Sequence, residues 1–277
     1  MNKLVSILLA TYNAEKYIKK TLYSCLNQSY KDIEILIVDD NSQDNTVKII
    51  EGIQNGSKNG SKIKLFKNKK NIGPYNNLNF LLKKAQGEYI AIQDHDDVWF
   101  SEKIEKQVEF LEKNKNKGFI ACGTNTFYYY EDRKLFILNK KPFLTDFVDH
   151  TSLMFRNRGF KYNTDYLLTD EYFEKKVLAK EGSIACIQDA LTVHRIKSDG
   201  TNLSNSRFRI SLKSIKDFFV VNGFSFGSLS YLLYLVIGRH IPGKLIWFIR
   251  LHLTQRKNLK FYLNDFLLRY QKMKRYI

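Results

Sequence analysis

The sequence predicts an α/β protein with a mostly parallel sheet and helices on both faces, and three observations support this. Short apolar runs typical of buried strands begin near residues 4, 33, 63 and 88. Segments with apolar residues at helical spacing lie between these runs. Strand and helix alternate over about the first 115 residues, a pattern typical of a helix-covered parallel sheet.

The elements follow a regular order in the first half and change after Gly118. First-half strands are predicted at residues 4–10, 33–38, 63–67 and 88–93. Helices are predicted after the capping residues Asn13, Asp44 and Ser101, and around residues 78–85. Later strands are predicted at 119–130, 134–138, 147–155, 183–187 and 190–196, with helices over 170–180 and from about 207 onward.

Composition and charge limit the possible classes of function. The chain has 277 residues, of which 44% are hydrophobic and 26% charged, so it is globular rather than disordered. A net charge of +17 predicts an anionic partner, namely a nucleic acid, a membrane surface or a phosphorylated substrate. The three cysteines have no metal-binding spacing and no signal peptide is evident, so we expect reduced thiols.

An acidic turn follows the predicted fourth strand. Asp94, Asp96 and Asp97 fall just beyond the carboxyl end of that strand, where open α/β sheets bind ligands. Such carboxylates suit Mg²⁺ or Mn²⁺, although a solvated turn that caps the next helix is the alternative. Neither a G-x-G-x-x-G nor a GxxxxGK[ST] motif is found, which argues against a dinucleotide-binding domain and a P-loop NTPase.

Four sequence blocks follow one another in the first half: VSILLATYN (5–13), TLYSCLNQSYKDIEILIVDDNSQDNT (21–46), NIGPYNNLNFLL (71–82) and GEYIAIQDHDDVWFSEKIEKQ (87–107). In this order they resemble family 2 glycosyltransferases, especially rhamnosyltransferase-like bacterial members. The resemblance is close through about residue 113, looser to about residue 204, and absent from the tail. It implies a GT-A fold, which is Rossmann-like, and inverting transfer of a sugar from a nucleoside diphosphate.

The resemblance also implies a donor site. Ala10, Tyr12 and Asp40 match positions that cradle the nucleotide base, and Asp39 is assigned to the same site. Asp94 matches the first acid of an Asp-x-Asp motif, near the ribose. The alternative for Asp39 and Asp40 is helix capping after a strand.

A metal site and a diphosphate contact are implied in the same way. Asp96 matches the ligand of a Mg²⁺ or Mn²⁺ ion that grips the diphosphate, and Asp97 is expected to orient the water shell of that ion. Arg195 matches a family arginine that can neutralise the diphosphate, whereas Lys197 stands where histidine is usual. His194 is expected to be an ordinary histidine on the face of a strand.

An inverting transferase needs a base for the acceptor hydroxyl. The family places it in an acidic pair that opens a helix, and Asp170 and Glu171 match this pair in reversed order. An alignment without a gap puts Glu171 at the base position, while a helix that begins one residue earlier puts Asp170 there. Both acids could instead stabilise the first turn of the helix through its dipole.

The domain prediction is a GT-A catalytic domain over residues 1–206, with a nucleotide-sugar half (1–115) and an acceptor half (116–206), and a basic amphipathic tail over 207–277. Residues 239–277 carry ten Lys and Arg against one acid, Asp265. The tail is expected to be an interfacial helical hairpin, with a helical cap on the catalytic domain and a membrane span over 218–238 as alternatives.

The sequence therefore predicts a metal-dependent inverting glycosyltransferase, peripheral on the cytoplasmic face of a membrane. Its partners are a UDP- or dTDP-linked sugar, a glycan or lipid-linked acceptor and an anionic membrane surface. The alternatives are an inactive glycan- or lipid-binding scaffold on the same fold and a basic nucleic-acid-binding protein, for which no recognisable motif is present.

Overall fold

The computed structural model describes residues 3–132, 134–166, 168–197 and 212–223. The chain divides into two compact units, Met1–Arg207 and Phe208–Ile277. Most of the predicted tail (207–277) therefore lies outside the described residues. The basic segment 239–277 and residues 224–238 of the alternative membrane span are among the residues not described. The described part of the second unit is a helix and the glycine that follows it, and Phe218 and Val221 on this helix are buried.

The first unit is built on one mixed sheet. Its strands are β1 (Val5–Thr11), β2 (Ile33–Asp39), β3 (Ile63–Lys67), β4 (Tyr89–Ile92), β5 (Val98–Trp99), β6 (Phe119–Tyr130), β7 (Leu135–Asn139), β8 (Leu144–Thr145), β9 (Met154–Arg156) and β10 (Ser183–Ile196). They are arranged in the order β3-β2-β1-β4-β9-β6-β10-β5, with β7 beside β6 and β8 beside β10.

Helices and turns connect these strands. The α-helices are α1 (Ile18–Leu26), α2 (Thr46–Gly56), α3 (Pro74–Lys84), α4 (Lys103–Lys113), α5 (Thr169–Tyr172), α6 (Ala179–Glu181) and α7 (Leu212–Asn222). Short 3₁₀ turns lie at Gly60–Lys62, Lys115–Lys117 and His150–Ser152, and a π-helix at Phe173–Leu178 joins α5 to α6. Within these described helices, none has the length and apolar character needed to cross a membrane.

Strands β1 to β4 are the parallel core of the sheet, in which β1 pairs with both β2 and β4. Alternate residues point to opposite faces, so Ile7 and Ile35 pack with Leu22 on one side, where α1 lies. Leu8 packs with Leu78 of α3 on the other side. Strands β1, β2 and β4 are buried on both faces, which explains their mostly apolar sequences. The predicted α/β class is confirmed.

Several observed elements differ from the predicted ones, most of them after Gly118. The predicted strand at 147–155 forms only at β9, and residues 150–152 are a 3₁₀ turn. The backbone N–H of Val148 is bonded to the Glu174 carboxylate instead of a neighbouring strand. The two strands predicted at 183–196 are a single strand, β10, whose pairing with β6 shifts register between Ile187 and Thr192. The short strand β5, which pairs with the end of β10, was not predicted.

All three cysteines are buried free thiols. Burial raises the pKa of Cys25 and of Cys122 to about 12, so both are held as unreactive neutral thiols in the core.

Candidate active site

The predicted donor residues follow strands that end at one edge of the sheet. Asp39 closes β2 and Asp40 follows it, while the acidic turn Asp94–Asp97 follows β4. Ala10 lies near the end of β1, paired with Val38, and Tyr12 just beyond β1 is 42% exposed. Parallel neighbours end at the same edge, so the fold gathers these residues at the place where open α/β sheets bind ligands.

Asp40 is the anchor of a loop at this edge. It is buried, and its carboxylate accepts hydrogen bonds from Asn68 Nδ2 at 2.9 Å and from the backbone N–H groups of Ile72 at 2.9 Å and Gly73 at 2.8 Å. Burial opposes ionisation, but these donors outweigh it and hold the pKa of Asp40 below its ordinary value. Asp40 is therefore a fixed anionic acceptor rather than a helix cap.

Asp39 has a different role in the local structure. Its carboxylate accepts the backbone N–H of Ser42 at 2.9 Å and the Ser42 hydroxyl at 2.5 Å, which closes the turn after β2. Asp44, and not Asp39, forms the hydrogen bond at the start of α2, where its carboxylate accepts the backbone N–H of Thr46 at 2.9 Å.

Asp97 is the most buried acid of the acidic turn. His194 Nδ1 lies 2.8 Å from its Oδ2, and the backbone N–H of Arg195 donates to its Oδ1 at 2.8 Å. Burial raises the pKa of Asp97 to about 6. Burial also opposes protonation of His194, yet the Asp97 carboxylate raises the pKa of His194 to about 10. The pair fixes the turn to the end of β10.

Asp96 and Arg195 form a second contact between the turn and β10. The Oδ2 atom of Asp96 lies 2.7 Å from Lys197 Nζ, and its backbone carbonyl accepts Arg195 Nε at 3.0 Å. The guanidinium of Arg195 also pairs with Glu131 at 3.0 Å and lies 4.9 Å from the centre of the Tyr17 ring. Burial opposes ionisation of Asp96, but the nearby side chains of His95 and Lys197 keep the pKa of Asp96 below its ordinary value.

Asp94 is tied to the 3₁₀ turn at His150–Ser152. His150 Nδ1 lies 3.3 Å from Asp94 Oδ1, and His150 Nε2 lies 3.0 Å from the Tyr162 hydroxyl. Burial opposes charge on both groups of the Asp94–His150 pair, but each stabilises the other, so the pKa of Asp94 is lowered and that of His150 is raised.

The two candidate bases on α5 have different surroundings. Glu171 is buried, and its carboxylate lies 3.4 Å from Lys175 Nζ, one turn further along. Asp170 is half-buried, and its negative charge contributes to the raised pKa of His150. Asp170 therefore lies within electrostatic range of His150, which contacts Asp94.

Sequence reasoning missed several of these contacts. It did not assign a role to His150, Tyr162 or Glu131, and it treated His194 as an ordinary strand residue. The available signal was the Asp149-His150-Thr151 segment, which stands where the resemblance leads one to expect a Gly-rich turn. The other contacts join residues that are far apart in sequence, for which the sequence contains no local pattern.

Comparison with known proteins identifies the family. The family model "Glycosyl transferase family 2" matches residues 6–170. An uncharacterised glycosyltransferase of Haemophilus influenzae is 28% identical over an alignment of 308 positions, gaps included, which spans 93% of this chain and 94% of that protein. The glucosyltransferase WfaP of Escherichia coli is 43% identical over 113 residues, covering 41% of this chain and 43% of WfaP. Other relatives are also matched over less than half of their length.

Solved structures show the same fold. TarS of S. aureus, with residues 1–349 in complex with UDP-GlcNAc, superposes with a TM-score of 0.66 at 19% identity, over 85% of this chain and 73% of TarS. The mannosyltransferase PcManGT of Pyrobaculum calidifontis superposes with a TM-score of 0.61 at 14% identity, over 89% of this chain and 83% of that one. The family resemblance predicted from the sequence is confirmed: the chain belongs to glycosyltransferase family 2, and it is a glycosyltransferase with the GT-A fold.

Proposed function

We propose that this protein transfers a sugar, with inversion, from a nucleoside diphosphate to a hydroxyl group of a glycan or lipid-linked acceptor. One observation carries the proposal. Asp40 and the acidic turn Asp94–Asp97 lie at one edge of the sheet, and Asp170 lies within electrostatic range of His150, which contacts that turn. This arrangement supports the assignment of a nucleotide-holding acid, a diphosphate site and a base to one site.

The related proteins support this choice of donor and acceptor. TarS is described in complex with UDP-GlcNAc and PcManGT with GDP-Man, so nucleotide-sugars occupy two proteins of the same fold. WfaP is named for transfer from UDP-Glc to a GlcNAc-diphosphoundecaprenol. We infer a nucleoside-diphosphate sugar as donor and favour a lipid-linked glycan as acceptor.

The donor residues have properties that suit these roles. Tyr12 presents an exposed ring against which a nucleotide base can stack, and Ala10 leaves space beside it. Asp40 is held ionised and can accept hydrogen bonds from the base. Asp94 lies at the start of the acidic turn, where we propose that it contacts the ribose, and Arg195 adds positive charge near the diphosphate.

The site can supply one carboxylate ligand, Asp96, to a divalent ion. Mg²⁺ and Mn²⁺ often take one or two protein carboxylates together with substrate phosphates, and Asp96 can supply one such ligand. Asp97 has both oxygens hydrogen-bonded, so we propose that it orients the turn and the water around an ion. Among the described residues, no group of three or more His, Cys, Asp and Glu is arranged to hold a metal without a substrate. When bound, the ion would stabilise the charge of the leaving diphosphate.

The structure supports Asp170 over Glu171 as the base. The alignment that favours Glu171 has no gap between the acidic pair and the VLAKEG segment at residues 177–182. The intervening segment, Phe173–Leu178, is a π-helix, whose i→i+5 bonding is commonly an insertion of one residue into an α-helix. Allowing for that residue moves the base position to Asp170. Glu171 is meanwhile engaged with Lys175.

The proposed reaction uses these groups together. Asp170 takes the proton of the acceptor hydroxyl while the acceptor oxygen bonds to the anomeric carbon. The bond from that carbon to the diphosphate oxygen breaks on the opposite face, which inverts the configuration. The electron pair leaves with the nucleoside diphosphate, whose growing negative charge is offset by Arg195 and the other cations of the site.

A thermal-shift panel tests the donor site. UDP, dTDP and GDP, with their sugars, are each added with Mn²⁺, Mg²⁺ or EDTA. A ligand that binds the native state raises the melting temperature by mass action. We expect a shift with one base, enhanced by metal, and loss of that metal effect in Asp96→Asn. The absence of a shift with every nucleotide would contradict the proposal, and donor binding without any transfer would favour an inactive scaffold.

A further inference from the structure

Each acid of the acidic turn faces a cationic side chain from another part of the chain. The pairs are Asp94–His150 at 3.3 Å, Asp96–Lys197 at 2.7 Å and Asp97–His194 at 2.8 Å. The pairing of Asp96 differs from the other two, because its partner is a lysine. Lysine carries a compact point charge on a flexible four-carbon stem and cannot act as a metal ligand while it is protonated.

The contact between Lys197 and Asp96 is sheltered. Both side chains are 11% exposed, and the ammonium lies 5.2 Å from the centre of the Tyr17 ring. Salt screens partly buried pairs much less than exposed ones. The ammonium therefore already lies on the Asp96 carboxylate, the group that would otherwise hold a divalent ion.

We propose that Lys197 is a built-in counter-cation of the diphosphate site, which competes with divalent metal for Asp96 and supplies part of the charge that binds the donor diphosphate. This inference rests on the proposed function, since it assumes that Asp96 faces the diphosphate. It has two consequences. The protein binds a free divalent ion weakly, and it binds a nucleoside diphosphate measurably even without metal.

Both consequences follow from electrostatics. A divalent ion on Asp96 would have to displace the ammonium or lie a few ångströms from it, where like charges repel. An arriving diphosphate brings new anionic oxygens, and the flexible stem of Lys197 allows its ammonium to contact them. Asp96 would then be free to serve as a ligand of a divalent ion. Metal and nucleotide are thus expected to bind together more strongly than either binds alone.

The first experiment uses Mn²⁺ alone and needs no nucleotide. Free Mn²⁺ is measured by its paramagnetic resonance signal while the full-length protein is titrated. We expect Lys197→Met to bind Mn²⁺ at least about ten-fold more tightly than the wild type, because the competing charge is gone. Lys197→Gln repeats the test with a polar side chain, and melting temperatures check that both variants fold.

Two variants control for other effects of the substitution. Lys197→Arg keeps the positive charge and should bind Mn²⁺ as weakly as the wild type. Lys64→Met removes another lysine that pairs with a buried acid, Glu34 at 2.9 Å, near the opposite end of β2, and should change nothing. Equal Mn²⁺ affinity in the wild type and in both neutral Lys197 variants would overturn the inference.

The second experiment separates this inference from the proposed function. Calorimetry measures binding of UDP, dTDP and GDP in EDTA and in Mn²⁺. The wild type should bind one of them in EDTA, and Lys197→Met should bind it at least about ten-fold more weakly in EDTA, with a smaller loss in Mn²⁺. Equal affinity of the two proteins in EDTA would overturn this inference alone. Failure of the wild type to bind any of the three under either condition would overturn the proposed function and this inference with it.

Discussion

Asp170 and Glu171 are adjacent on α5, yet their surroundings suit them to different tasks. Glu171 is buried and lies 3.4 Å from Lys175, an i,i+4 pair along the same helix. Asp170 is less buried and is coupled to His150, which contacts the acidic turn. A base must reach the acceptor hydroxyl, so partial exposure beside the donor site is the more suitable property.

Substitution at these two positions should separate their roles. We expect Asp170→Asn to lower kcat by about 10²- to 10⁴-fold, the usual contribution of a positioned base, with donor affinity unchanged. Glu171→Gln should lower kcat by less than about ten-fold, since its carboxylate supports the helix through a pair of modest strength. The measurement is acceptor-dependent release of the nucleoside diphosphate. A large loss in Glu171→Gln, together with an active Asp170→Asn, would instead identify Glu171 as the base.

Helix α4 supports the candidate site through its buried side chains. Lys103 is fully buried, with its ammonium 3.8 Å from the centre of the Trp99 ring and 2.8 Å from Gln107 Oε1. Trp99 Nε1 donates to the carbonyl of Thr151 at 2.8 Å, and Gln107 Nε2 donates to that of Ser152 at 2.9 Å. These bonds fix Thr151 and Ser152 of the 3₁₀ turn, whose first residue, His150, contacts Asp94. The buried lysine therefore supports the site through its neighbours.

The pH dependence of stability should report on Lys103. Burial lowers the pKa of Lys103 from 10.5 to about 7. Between these values the unfolded chain binds a proton that the folded chain does not, so this residue makes the free energy of unfolding rise with pH, by at most about 1.4 kcal/mol per pH unit. We expect the free energy of unfolding, measured by urea denaturation, to change less with pH in Lys103→Met than in the wild type between pH 7.5 and 9.

A lysine on the same helix is a matched control for that experiment. Lys106 pairs with Asp189 at 2.9 Å, and its side chain is 36% exposed, so Lys106→Met should keep the pH dependence of the wild type. If the free energy of unfolding changed equally with pH in the wild type and in Lys103→Met, Lys103 would be shown to stay charged in the core, stabilised by the Trp99 ring.

Sequence patterns predicted the elements that depend on local chemistry. Strands β1, β2 and β4 are mostly apolar because both of their faces are covered, and Asp39, Asp40 and Asp94–Asp97 lie at or just beyond the ends of β2 and β4. Their place at one sheet edge was predictable for that reason. Their roles in binding and catalysis stay predictions.

Features that depend on distant contacts were not predictable. Strand β5 exists because Val98 pairs with Val193, and the segment before the 3₁₀ turn is held by the bond between Val148 and Glu174. The pairing of Asp96 with Lys197 joins residues that follow β4 and β10, and the sheet order decides whether the ends of these strands lie close together. A single sequence contains no periodic signal for such pairs, so the cationic partners of the site could be identified only from the structure.

At the scale of the whole molecule, positive charge is concentrated near the end of the chain. The net charge is +17, and residues 239–277 carry ten Lys and Arg against one acid, interleaved with Leu, Phe, Trp and Tyr. This composition is typical of segments that lie on anionic membranes. We propose that the tail places the enzyme on the cytoplasmic face of a membrane, where a lipid-linked acceptor would be available.

Vesicle flotation tests this placement. The full chain should bind phosphatidylglycerol vesicles and not phosphatidylcholine vesicles, and salt should weaken the binding. Each basic residue near an anionic surface contributes about 1 kcal/mol, so replacing Lys272, Lys274 and Arg275 by Gln should weaken binding by more than about ten-fold. If the tail alone lies on the membrane, the same loss of charge at the catalytic-unit lysines 113, 115 and 117 should have little effect, because attraction falls off within a Debye length of the surface. Equal losses in the two variants would mean that net charge alone, and not the tail, directs the protein to membranes.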